Sequence, residues 1–271
     1  MSSVFRTNLL CLPFAFLIVN VMAQSEPDTT TLPAEREPLE SKVYKGLLDN
    51  GSAAIQTQPL AGGSTTHLKS MLIEAITLTA RQSTVAVNDG ELNSEKLIIV
   101  KEGAVSISTG DHHKNVGPGS VALILPGDSY SIKNLRDNPA VFYLFVYIAK
   151  SPADLSRGRG AGGSFIVDWS QIEYKEHGKG GRRDFFDRPT AMCENFEMHV
   201  TNLNENTSSH DPHTHVVEEI ILMVQGKISM HIDGNEIEAG KGDFAFVDSN
   251  VPHAPTNIGS GQAIYFAFQW K

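Results

Sequence analysis

The sequence predicts an all-β protein: two tandem antiparallel jelly-roll barrels that follow a signal peptide and a flexible N-terminal arm. Three observations predict this. The apolar residues come in runs of 4 to 8, Leu97–Val100, Val121–Leu125, Val141–Ile148, Ile220–Val224, Phe244–Val247 and Ile264–Phe268, rich in Val, Ile, Phe and Tyr and separated by Gly, Asn, Asp and Pro. A shift of 123 positions lays the chain over itself without a gap. It superposes Gly103 on Gly226, Gly117 on Gly240, Gly119 on Gly242, Asn134 on Asn257, Ala140 on Ala263 and Phe145 on Phe268. The strand runs coincide at the same offset, and Asp233-Gly234 supplies a two-residue hairpin turn. Several short strands with glycine turns in each copy predict one small antiparallel barrel or jelly roll per copy.

Composition bounds what such a protein can do. The chain has 271 residues, 41% hydrophobic and 20% charged, enough for one large domain or two of ordinary size. Lys and Arg number 22 against 31 Asp and Glu, a net charge of -9, and no basic cluster is large enough to neutralise a run of phosphates, which excludes nucleic acid as a partner. Two cysteines exclude a disulfide scaffold and any C-x-x-C metal or redox site. Stability must come from apolar packing.

In chain order, residues 1–23 read as an export signal. Arg6 is the only charge, Leu9 to Val21 are apolar but broken by Pro13 and Asn20, and Val21-Met22-Ala23 offers a cleavage site before Gln24. A retained membrane anchor is the alternative, against which the run is short and interrupted. Stable membrane insertion is therefore not expected, and the protein is expected to be secreted or periplasmic. Cleavage would remove Cys11 and leave Cys193 alone, read as a buried small hydrophobe in a strand. Residues 24–66 open with a stretch rich in Ser, Thr, Pro and Glu and read as a flexible arm or linker. Residues 67–150 form the first barrel, although 67–82 fits a strand or a helix equally well. Residues 151–188 connect the barrels, and 189–271 form the second.

The second copy carries the chemistry. His213 and His215 share a face if they stand on a strand, and Glu219 has matching parity if the strand continues. His253 follows the turn at Asp248 to Pro252 and would close the set from a neighbouring strand. Three imidazoles and a carboxylate suit one divalent transition metal, Mn, Fe, Ni, Co or Zn, whereas Ca or Mg would favour oxygen ligands. Four protein ligands leave positions open for water or substrate. Glu218, of opposite parity, is read as a surface carboxylate. His210, in a loop just before the motif, is a surface residue or a contributor to substrate binding. The isolated His177, His199 and His231 are read as hydrogen-bonded structural residues, and His112 and His113 as exposed in a hairpin loop.

His213-x-His215-x3-Glu219-x6-Gly226 resembles the first cupin motif, and Gly242 through His253-x3-Asn257 resembles the second, with Asp248-Ser249-Asn250 in place of the usual Pro-x-Gly and Thr207 where a Gly is usual. The chain therefore resembles a bicupin over roughly residues 67 to 271. The resemblance implies His213, His215, Glu219 and His253 as ligands and gives Asn257 a conformational role. At the repeat offset these four ligands lie over Gly90, Leu92, Lys96 and Tyr130, so the first barrel is expected to hold no metal. Its role would be packing, pairing or a lid. Tyr130 reads as a half-buried aromatic.

Between the barrels, Arg182, Arg183 and Arg188 belong either to a loop that holds a carboxylate at the second barrel's mouth or to a crossover salt-bridged through Asp184 and Asp187. The expected function is that of an exported metal-dependent enzyme acting on a small, oxygen-rich and possibly anionic metabolite: a sugar acid, keto acid, ureide or phenolic. Bicupins include ureidoglycine aminohydrolases, oxalate decarboxylases and quercetin dioxygenases, and single cupins include unsaturated-uronate hydrolyases. The empty first barrel argues against an oxalate decarboxylase, and the plain His-x-His motif against a ureidoglycine aminohydrolase. The alternative is a non-catalytic sugar-binding or storage-type bicupin. A homodimer is expected, with the arm before Ser70 available to add a strand to a neighbour.

Overall fold

The computed structural model describes residues 37–46, 54–84 and 94–271. Every described residue belongs to one compact unit, Pro33–Lys271. The expected signal peptide, residues 24–36 and 47–53 of the arm, Gly90 and Leu92 lie outside the described residues.

Short β-branched and aromatic runs become strands, as expected. The first copy supplies β1 (Lys42–Tyr44), β2 (Ile55–Gly63), β3 (Leu68–Leu78), β4 (Glu95–Glu102), β5 (Val105–Thr109), β6 (His112–Val116), β7 (Val121–Ile124), β8 (Tyr130–Asn134) and β9 (Ala140–Ala149). A six-residue helix α1 (Leu155–Gly160) leads to the second: β10 (Phe165–Val167), β11 (Lys175–His177), β12 (Gly180–Arg188), β13 (Phe196–Leu203), β14 (Glu218–Gln225), β15 (Lys227–Ile232), β16 (Asn235–Gly240), β17 (Phe244–Val247), β18 (His253–Asn257) and β19 (Ala263–Trp270). Each barrel sets one large sheet against a three-stranded one. The first uses β10-β7-β4-β9-β3-β2 with β6-β5-β8, the second β1-β17-β14-β19-β13-β12-β11 with β16-β15-β18.

Strand parity sorts the core into three layers. Ile98 and Val100 fill the first barrel, while Ile221 and Met223 fill the second. The alternate residues Leu97, Ile99, Ile220 and Leu222 point the other way, into one apolar layer where the two large sheets lie back to back. Phe145 and Phe268, matched in the repeat, meet edge to face at 5.3 Å between ring centroids, so the duplicated residue packs against its own copy. Gly226 and Ala263 are also one contact. Gly226 has φ 78°, and a Cβ there would stand 2.8 Å from the Ala263 Cα; Gly103 and Ala140 repeat the arrangement at 2.9 Å. The Asp233-Gly234 turn has positive φ at both residues, the type I′ geometry that suits a hairpin.

The structure moves two domain boundaries. Strand β1, inside the segment expected to be a coreless arm, pairs with β17 of the second barrel, and β10, inside the expected connection, pairs with β7 of the first. The two strands are 123 residues apart and occupy equivalent edges, so the copies exchange them. Strands β2 and β12 likewise complete the sheets of β3 and β13. The duplicated unit therefore begins near Lys42 and again near Phe165. The strand imagined as reaching a neighbouring molecule is satisfied within the chain. Residues 68–78 are strand, because both faces of β3 are buried and Thr and Ile suit that setting.

A second exchange is polar. Glu95, fully buried, accepts from the Tyr147 hydroxyl (2.6 Å) and from the backbone N–H of Ala191 (3.0 Å) and Met192 (3.3 Å), which belong to the other copy. Glu218, expected on the surface, is equally buried and accepts from Trp270 Nε1 (2.8 Å) and from the N–H of Thr66 (2.7 Å) and His67 (3.2 Å). Parity does turn Glu218 away from the barrel interior, but that side faces the second barrel and not water. In each copy a threonine, Thr65 or Thr190, shapes the donating turn by accepting from the N–H three residues on. Cys193 lies in this turn, ahead of β13, where burial pushes its thiol up.

Glu95→Ala leaves three buried donors unpaired and is expected to lower stability by about 1–3 kcal/mol, read from the urea midpoint. Burial raises the Glu95 carboxyl, so folding favours its protonated form. That contribution is complete below the pKa of the unfolded chain and is lost as pH rises through the folded value. The variant should lack this pH-dependent part in a series of urea titrations.

Candidate metal centre

The four expected ligand residues come together at one end of the second barrel. His253 opens β18 and is fully buried; Glu219, second residue of β14, points inward with Ile221. His213 and His215 precede β14 and are not on a regular strand. His213 forms an isolated antiparallel bridge with His253, exchanging backbone hydrogen bonds of 3.3 and 3.1 Å, and the His215 carbonyl accepts from Asn250 N–H at 2.8 Å. Sheet pairing thus places the first three imidazoles on neighbouring backbone. The donor atoms of His213, His215 and His253 all lie within 4.8 Å of one another. Glu219 Oε2 is 2.8 Å from His253 Nε2 and 3.4 Å from His215 Nε2.

Backbone carbonyls orient two of the rings. His215 Nδ1 donates to the Val217 carbonyl at 2.8 Å and His253 Nδ1 to the Val251 carbonyl at 2.9 Å, which turns both Nε2 atoms toward Glu219. Buried His215 Nε2 has no hydrogen-bond partner. A buried nitrogen lone pair costs free energy when unsatisfied, and three convergent imidazoles beside a carboxylate satisfy it by sharing one cation. The triad can therefore hold a metal ion. Burial acts to raise the Glu219 carboxyl, but contacts from His215 and His253 outweigh it and hold the group well below the usual carboxylate range. The Glu219 carboxylate raises His215, while burial and the neighbouring His210, His253 and His215 lower His213.

The missing Pro-x-Gly does not distort the loop. Asn250 takes φ 61°, a left-handed conformation that Asn tolerates, and Gly127, its copy in the first barrel, has φ 80°. Asn257 holds the far end of the barrel by donating to the Leu203 and Gly261 carbonyls (2.9 and 2.8 Å), just as Asn134 donates to those of Leu78 and Asn138 (3.1 and 2.8 Å). In the first barrel Lys96 and Tyr130 occupy the places of Glu219 and His253. The Lys96 ammonium is buried, 3.0 Å from Ser94 Oγ and 6.0 Å from the centre of the Tyr130 ring, which is itself buried and not half-exposed.

A cavity of about 290 Å³ opens beside His213 and Glu219. Its other walls come from residues that the sequence did not single out for the site: Lys179, Thr201, Tyr265, Gln269 and the supposedly structural His177 and His199. Gln269, opposite Glu219 across β19, donates to Glu219 Oε1 at 3.2 Å. His210 caps the mouth, its Nδ1 3.0 Å from that of His213. The parity of β13 was the available signal, since His199, Thr201 and Leu203 face the interior that Glu219 faces. The arginines lie on a strand, β12, and not on a loop. Arg182 lines the cavity paired with Asp184 and with Glu197 (2.8 Å), Arg183 stacks between Trp169 and Tyr174, and Arg188 donates to the Ala161 and Gly163 carbonyls. Asp187 pairs with Asn195, so only the Asp184 half of the expected salt-bridged crossover forms. His112 and His113 are exposed but open β6. His231 pairs with Glu236.

Residues 199–268 match the Cupin domain family. That match lies within the second barrel, and the described residues have the tandem-barrel fold of a bicupin. Oxalate decarboxylase from Lactobacillus farciminis, solved as a formate complex, is 12% identical with a TM-score of 0.66 over 88% of this chain and 88% of that one. Protein Ylba from E. coli is 18% identical (TM-score 0.61, 83% of this chain and 88% of that one), and a cupin 2 conserved barrel domain protein from Leptotrichia buccalis is 16% identical (TM-score 0.57, 86% and 98%). At these identities the likeness is one of fold. No curated protein matches the sequence.

Asn257→Ala leaves the Leu203 and Gly261 carbonyls short of a donor some distance from the histidines. It is expected to cost about 1–3 kcal/mol in thermal or urea unfolding while leaving the His213, His215 and His253 resonances near their wild-type positions.

Proposed function

We propose that this chain is an exported, metal-dependent bicupin enzyme that acts on a small, oxygen-rich anionic metabolite, with His213, His215, Glu219 and His253 as the ligands of one divalent transition metal. The convergence of the three imidazole donors within 4.8 Å, with Glu219 against two of them, carries this reading. A bound divalent ion supplies Lewis acidity to substrate oxygens or to a coordinated water. Glu219 balances part of its charge and is itself held by Gln269. Lys179 places a cationic group in the cavity wall, which favours a carboxylate or another anion even on an acidic protein. A sugar acid, keto acid or ureide fits a cavity of this size, and isomerisation, hydrolysis or oxygenation is the reaction class. The fold shared with an oxalate decarboxylase supports a small carboxylate, whereas Lys96 and Tyr130 in the first barrel argue against a second metal centre of the same kind.

The rival, a non-catalytic sugar-binding or storage-type bicupin, calls for an apolar, closed interior. The cavity walls instead bring together His177, Lys179, Arg182, His199 and Gln269. The export part of the reading rests on residues 1–23 alone and is tested by N-terminal sequencing of the exported protein, which should begin at Gln24.

Mass spectrometry of metals in purified protein should find close to one equivalent in the wild type and almost none in His213→Ala or His253→Ala. Undiminished metal in both variants overturns the ligand assignment. Metal at about a hundred times its Kd should stabilise the wild type by roughly 2.7 kcal/mol, an effect lost in both variants. Gln269→Leu removes the donor to Glu219 and should weaken the metal roughly 10-fold in a chelator competition. Turnover of unsaturated uronates, ureides or flavonols by the reconstituted protein identifies the substrate.

A further inference from the structure

We infer that His199 is the residue that moves a proton in the cavity beside the metal centre, with Glu197 as its positioning residue. The inference rests on the metal-enzyme reading above and adds a base to it. Both residues stand on β13. Glu197 Oε1 is 2.8 Å from His199 Nδ1 and also accepts from Arg182 Nη2 at 2.8 Å, while Oε2 is 3.1 Å from the same imidazole nitrogen. A carboxylate paired with a guanidinium only accepts, so Nδ1 must carry the hydrogen and Nε2 of the neutral ring keeps its lone pair. His199 is 9% exposed and lines the cavity shared with His213 and Glu219.

The register places the dyad. Glu219, Gln269 and Glu197 lie in one row across β14, β19 and β13, and His199 is the next inward-facing residue along β13. The groups around it are Asp184 and Arg182 from β12, Tyr265 and Gln269 from β19, and Glu219 from β14. Asp184 is itself bound to Lys175 and Arg182.

Among the described lining histidines, His199 is the one whose Nδ1 is backed by a carboxylate. His213 and Glu219 belong to the proposed ligand set, His210 Nδ1 is against His213, and His177 Nδ1 accepts from the Lys179 N–H. Burial pushes the Tyr265 phenol up, away from use as a base near neutral pH. The Glu197 carboxylate singles out His199. Its Nε2 takes a proton from a C–H or O–H of the bound substrate, the imidazolium so formed is balanced by the Glu197 carboxylate, and the same proton returns to the product at another atom, leaving the ring neutral.

Two readouts test this on the full chain. In nitrogen-15 spectra of histidine-labelled protein, the His199 signals, assigned by their loss in His199→Gln, should show the neutral ring with a protonated Nδ1 and a bare Nε2, and Glu197→Gln should shift the population toward Nε2–H. In D2O, metal-loaded wild type should exchange the C3 protons of pyruvate, the probe, at least about 100-fold faster than metal-loaded His199→Gln, with Glu197→Gln between them. Metal content should be equal in all three. A proton resident on Nε2 in the wild type, or equal exchange by wild type and His199→Gln, overturns the inference. Absence of metal from the wild type would instead sink the metal-enzyme reading, and the tautomer result would stand apart from it.

Discussion

Two buried carboxylates, Glu95 and Glu218, hold this molecule in register. Each sits at the start of a central strand, points into the layer between the large sheets, and is saturated by backbone donors from the opposite copy. A buried carboxylate is tolerable only when donors surround it, so the pairing fixes both where each barrel begins and how the two face one another. It also aims the candidate metal site. Successive side chains on a strand point to opposite faces, so anchoring Glu218 between the sheets sends Glu219 into the barrel.

The duplication is closed by exchange. Strands β1 and β10 cross to the partner barrel and cover equivalent sheet edges that would otherwise present unpaired N–H and C=O groups. Within that shared frame the copies differ at the end that carries the candidate site. Where the second barrel sets Glu219 against His253, the first sets a buried ammonium near an aromatic ring. The frame of Gly226 on Ala263, the Asn257 clamp and the Phe145–Phe268 contact is common to both, so the site residues were free to diverge without loss of the fold.

The site is built from two directions. One wall, from β14, β18 and the loop before β14, brings the imidazoles and Glu219; the other, from β19, β13 and β12, which continue the sheet of β14, brings Arg182, Glu197, His199, Gln269 and Tyr265. Gln269 is the link, touching Glu219 and lying in the same strand row as Glu197. The first wall is a compact motif. The second is dispersed over nearly a hundred residues of chain.

That difference explains how much was legible before folding. The strands, the duplication and the convergence of His213, His215, Glu219 and His253 follow from local period, self-similarity and close spacing, all of which are properties of the chain as written. The orientation of Glu218, the strands inside the supposed arm and connection, and the place of His199 follow from which surface each face meets. Parity says that Glu218 and Glu219 diverge, but only the second sheet packed behind the first makes the Glu218 side an interior. Likewise, His199 reads as one more strand histidine until antiparallel pairing through β19 sets it on the same inward face as Glu219. Sequence determines which side chains share a face; tertiary packing alone decides what lies opposite that face, because the contacts that do so join residues far apart along the chain.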